Sequence, residues 1–121
     1  MFKRFVFFAV LYFAVVSGLA ISKESDSNNL FIVHFELGPN WDKSLPPQEQ
    51  TSFREHSLNL RQLRQEKMIV FGARYSDLGV IILKSETLAN ANAIISNDPG
   101  VASGIFTFKI EPLNVFYEWE K

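Results

Sequence analysis

Between residues 30 and 110 the apolar side chains alternate between strand-like and helix-like spacing, and the order of the switches leaves few folds open. Residues 30–37 are mostly β-branched or aromatic and predict a first strand. Over residues 48–67, Phe53, His56, Leu60 and Leu63 recur at intervals of three, four and three, while Arg54, Arg61, Arg64 and Glu66 fall elsewhere. That spacing predicts a helix with one apolar face, and the face contains a histidine. Residues 68–73 and 79–84 predict two short strands joined by residues 74–78, close enough for an antiparallel hairpin. Ser85 is expected to cap a second helix with Leu88, Ala91 and Ile95 on its core stripe, ended by Asn97, Asp98, Pro99 and Gly100. Residues 105–110 predict a fourth strand, which Pro112 is expected to stop.

Strand, helix, strand, strand, helix, strand is the ferredoxin-like βαββαβ order. The expected fold class is α+β, with two helices on one face of a four-stranded antiparallel sheet. Strands one to three carry large apolar residues at both parities, such as Phe31 beside Ile32 and Ile81 beside Ile82. The face away from the helices is then apolar and uncovered, which predicts a homodimer packed sheet on sheet. Residues 113–121, with Phe116, Tyr117 and Trp119, are too aromatic for a free tail and are expected to cover a sheet edge or reach across to the partner.

The N-terminus has a different character. Lys3 and Arg4 precede an apolar run over residues 5–16, followed by Ser17, Gly18 and Ala20. This is the layout of a cleaved signal peptide over residues 1–20, since the run falls short of the roughly 20 residues that span a bilayer. The chain is therefore expected to be exported, periplasmic or secreted, with no membrane attachment after cleavage. Residues 22–29 are polar and charged and predict a flexible tether over residues 21–29, leaving residues 30–121 as one α+β domain. With 12 basic and 13 acidic residues, removal of Lys3 and Arg4 leaves ten against 13, a balance that attracts no nucleic acid. There is no cysteine, so neither disulfides nor thiol chemistry contribute, and the core alone must hold the fold. No Asn-x-Ser/Thr acceptor occurs.

Candidate chemistry is confined to few residues. The chain has two histidines. His34, inside the first strand, reads as a sheet residue. His56 reads either as a satisfied core residue or, with a carboxylate beside it, as a general base. Asp98 reads either as ordinary Asp-Pro turn chemistry or as that carboxylate, because helices side by side bring the end of the second near the first. The long loop after the first strand holds Trp41 and Asp42, which are expected to line a substrate pocket together with Gly72. No Gly-rich phosphate loop or nucleophile elbow is present, and no metal or cofactor is expected.

The ordered set Arg54-Glu55-His56, Leu60, Leu63, residues 68–72, Gly79-Val80-Ile81-Ile82, Asn97-Asp98-Pro99 and Gly104 resembles the YciI-like (YCII-related) family, from Leu30 to about Pro112. The resemblance implies a dimeric α+β barrel with a histidine on the first helix and an aspartate in the Asp-Pro turn as a catalytic pair, matched here by His56 and Asp98. Two departures stand out. Glu66-Lys67 replaces a glycine before the second strand, and Gly100 replaces an aromatic after Asp-Pro, a loss expected to open or reshape the pocket beside Asp98. The expected function is cofactor-free proton transfer, of isomerase or lyase type, on a small molecule. The alternative is a non-catalytic envelope protein that binds a small ligand or a partner.

Overall fold

The computed structural model describes residues 29–121. The signal peptide expected over residues 1–20 lies outside the described residues, as does all of the expected tether except Asn29. The described chain is α+β, with strands β1 (Asn29–Leu37), β2 (Ile69–Tyr75), β3 (Leu78–Ser85) and β4 (Phe106–Leu113), and helices α1 (Phe53–Gln65), α2 (Leu88–Ser96) and α3 (Pro99–Ala102). The strands lie in the order β2-β3-β1-β4, all antiparallel, an arrangement compatible with the ferredoxin-like one. Among the described residues no helix is long and apolar enough to cross a membrane.

Strand alternation decides the layers. Phe31, Val33 and Phe35 of β1 and Ile81 and Leu83 of β3 are buried against Leu63 of α1 and Ala91 and Ile95 of α2 in one cluster. Phe106, Phe108 and Ile110 of β4 pack onto that cluster from the same side, so both longer helices cover one face. The opposite parity presents Ile32, His34, Val80 and Ile82, half-buried, with exposed Phe71 and Tyr75 alongside on β2. A sheet face with large apolar residues and, among the described residues, no helix over it is therefore present, and His34 sits on it in edge contact with Tyr75 at 6.5 Å.

Local chemistry moved several boundaries. Asn29 pairs with Ser85 at the start of β1 and is not tether. A short 3-10 turn at Pro47–Glu49 precedes α1, which begins only at Phe53, after Ser52 takes a left-handed conformation at φ 63°. Thr87, not Ser85, caps α2 by accepting from the Asn90 N–H at 3.0 Å; Ser85 is buried at the end of β3. Leu88 is 45 % exposed, and the inner face of α2 is instead Ala91, Ile94 and Ile95. Pro112 does not stop β4 but pairs opposite Phe31, which an edge strand tolerates because one side of its backbone has no neighbour. The expected single helix through residue 96 is followed by a separate turn of helix, α3, and this places Asp98 at a helix N-terminus. Phe116, Tyr117 and Trp119 are more than four-fifths exposed, so the segment after β4 covers no edge of its own sheet.

Candidate functional site

Asp98 has the φ and ψ of an N-cap (−64°, 133°), followed by Pro99 at the first helical position, and its carboxylate takes the free amides of the first turn of α3. Oδ2 accepts from Gly100 N–H at 2.9 Å and Val101 N–H at 3.2 Å. This fixes the carboxyl group beneath α1, where the helical face bearing His56 meets it. The His56 Nδ1 to Asp98 Oδ2 distance is 2.6 Å, and Asn59, one turn along α1, donates from Nδ2 to Asp98 Oδ1 at 2.8 Å.

Asp98 is fully buried, and four donors converge on it, the number of partners that makes such burial tolerable. Gly100 and Val101 give backbone N–H groups to the same Oδ2 that His56 meets, so that oxygen's role is that of acceptor. His56 consequently donates from Nδ1 in the neutral ring, which leaves the lone pair on Nε2. Nε2 has no hydrogen-bond partner among the described residues. Phe106 lies against the ring at 4.7 Å between centroids and Phe35 at 5.4 Å, edge on. The imidazole is thus held by a carboxylate on one side and by aromatic walls on the others.

His56 borders a cleft of about 580 Å³ between α1, the loop after β1 and the β2–β3 hairpin. Trp41 closes one side with its ring 5.6 Å from Phe106, so it serves both as wall and as cover to the core edge. Gly72 also lines the cleft. Asp42 does not: its Oδ1 accepts from the Ser44 N–H at 2.9 Å and the Ser44 hydroxyl at 2.6 Å, on the solvent side of the loop. Those two bonds hold its carboxyl below the ordinary aspartate value. The loop is pinned from within by Gln50, buried, which donates to the carbonyls of Asp42 and Leu45 at 2.6 and 3.0 Å and accepts from the Asp42 N–H at 2.9 Å.

The glycine at position 100 does not open the site. A Cβ there would lie 2.9 Å from Phe106 Cδ2, 3.0 Å from Asp98 Oδ2 and 3.0 Å from the His56 Cβ. Phe106, arriving from β4, already occupies the space that an aromatic after Asp-Pro was expected to fill. Asn59 and Phe106 are the members of the site that sequence reasoning passed over. Asn59 carried a usable signal, because a polar residue three positions after His56 shares its helix face. Phe106 carried none, since its role depends on the β1–β4 register that sets it opposite Leu37.

Among the described residues no group of three or more His, Asp or Glu side chains is placed to hold a metal ion. Compared with known proteins, the chain matches no protein-family model and no curated protein.

Proposed function

We propose that the chain is an exported, YciI-like dimeric α+β barrel that moves a proton on a small molecule bound in the cleft, without a cofactor. The carrying observation is the 2.6 Å contact from His56 Nδ1 to a fully buried Asp98 at the border of that cleft. Asp98 positions the ring and selects its tautomer; His56 Nε2 is the base. In the reaction Nε2 takes a proton from a carbon next to a carbonyl, and the C–H electron pair passes into the adjoining π system. Return of the proton from Nε2 to a different atom completes an isomerisation; departure of a leaving group instead completes an elimination. Neither outcome needs a nucleophile.

Export rests on Lys3, Arg4 and the apolar run after them. The homodimer rests on the uncovered face of Ile32, Val80, Ile82 and Phe71. Family membership rests on His56 and Asp98 standing together as the resemblance implies.

Solvent deuterium exchange tests the reaction class without knowledge of the substrate. The protein is incubated in buffered D₂O with a panel of small cyclic ketones and lactones, and loss of C–H signal is followed by proton NMR. General-base catalysis is worth about 10²–10⁴-fold, so exchange into at least one compound should be faster by that factor than with His56→Gln. Equal rates for both proteins, with panel compounds shown to occupy the cleft, would make this a ligand-binding domain instead.

A further inference from the structure

The lining of the cleft specifies more than its volume. Around His56 it is aromatic, with Phe35 of β1, Trp41 of the loop, Phe53 of α1 and Phe106 of β4. On the sheet side the two strands that floor it carry glycine, at Gly72 of β2 and Gly79 of β3. A Cβ at Gly72 would come no nearer than 3.7 Å to Ile81 and one at Gly79 no nearer than 3.8 Å to Phe35, both ordinary contacts. Packing therefore does not demand glycine at either place, and the absence of side chains there is what leaves the cleft its depth.

Arg74 stands at the rim of this apolar space, paired across the hairpin with Gly79 and two residues beyond Gly72, on the same side of β2 by strand alternation. Among the described residues it is the one Lys or Arg in the lining. The ion pairs among the described residues are His56 with Asp98 and Lys109 with Glu36, so none of the described carboxylates, Asp77 of the same rim included, lies within 4.0 Å of Arg74. A guanidinium keeps its charge at every physiological pH and presents a planar fork that fits a carboxylate.

We infer that the cleft takes a small, largely apolar or aromatic molecule bearing one carboxylate, which Arg74 engages at the rim while the ring or hydrocarbon lies against Trp41 and Phe106. This rests on the cleft being the functional site, as in the proposed function, and deepens it by naming the ligand class. It also places the reacting carbon: a molecule anchored at Arg74 extends inward toward His56, so the labile proton belongs to the end remote from the carboxylate.

The test is a pair of fluorine NMR titrations of the full protein, with 4-fluorobenzoate and with 4-fluorobenzamide, which share shape but not charge. The benzoate should bind about ten-fold more tightly, the discrimination expected of one charge-assisted contact. Arg74→Gln should abolish that preference and leave the benzamide affinity unchanged, and Gly72→Val should weaken both probes, locating them in the cleft. Equal binding of the two probes to the parent protein, or a preference that survives Arg74→Gln, overturns the inference. If neither probe binds, both the ligand class and the cleft as a functional site fall. If deuterium exchange fails while the Arg74-dependent preference is found, the anion anchor stands and only the proton-transfer chemistry is lost.

Discussion

Replacing Asp98 by Ala and by Asn separates the structural from the chemical work of the site. In Asp98→Ala, α3 loses its cap, a change worth about 1 kcal/mol. The buried His56 Nδ1–H and Gly100 N–H are left without acceptors, at about 1–3 kcal/mol each. Val101 N–H keeps its bond to the Asp98 carbonyl at 3.0 Å, and half-exposed Asn59 turns to water, so neither adds much. Because the cap term and the Gly100 term share one hydrogen bond, the sum is about 2–6 kcal/mol, a large part of the roughly 5–15 kcal/mol that holds a domain of this size. Asp98→Asn keeps an acceptor oxygen for His56, Gly100 and Val101, and the Asn59 amide can rotate to offer its oxygen to the new NH₂. Only charge assistance is lost, about 1 kcal/mol. Urea unfolding followed by circular dichroism, with unchanged slope, measures both. A cost below about 1 kcal/mol for Asp98→Ala, or equal costs for the two variants, would refute the count of hydrogen bonds on which the site is built.

Gly100→Ala should cost about 1–3 kcal/mol in the same assay and shift the His56 ring resonances, because the new methyl meets Phe106, Asp98 and His56 at 2.9–3.0 Å; a neutral effect would mean that Phe106 does not seal the site. Asp42, whose carboxyl is held below its ordinary value by Ser44, contributes loop order that is present above the unfolded carboxylate range and is lost as pH falls through its own lower value. Trp41 fluorescence, read in Trp119→Phe, should therefore show an acid change below the usual aspartate range that is absent in Asp42→Asn; an identical acid profile in the two would place the loop's pH response elsewhere.

Much of the architecture was written locally. The stripe Phe53, His56, Leu60 and Leu63 names the face of α1 that is in fact turned inward, whereas β1, apolar at both parities, left its inward face open; the order of elements then permits few sheets. The pairing of His56 with Asp98 was legible in part, because both lie at positions that neighbouring helices bring together. Where local signals competed, the fold chose by tertiary context. Ser85 and Thr87 are both good caps, and Ser85 lost because its pairing with Asn29 draws it into the sheet. Pro112 breaks strands in general, but not at an edge. The meaning of Gly100 was hidden entirely, since the ring that fills its space comes from Phe106 on another strand, and nothing near position 100 announces that. Arg74 was equally silent, because no local pattern shows that it lies at the rim of the cleft with no described carboxylate within 4.0 Å.

The central claim is that Asp98 holds His56 with its proton on Nδ1 and a bare Nε2 turned to the cleft, and long-range proton–nitrogen correlation of the two histidine rings measures this directly, with His34→Gln supplying the assignment. Whenever the ring is neutral it should show the Nδ1–H pattern, which Asp98→Ala converts to a mixture of tautomers. A ring found as the Nε2–H tautomer in the parent protein would put the proton on the nitrogen needed as the base, and would contradict both the hydrogen-bond assignment and the proton-transfer function drawn from it.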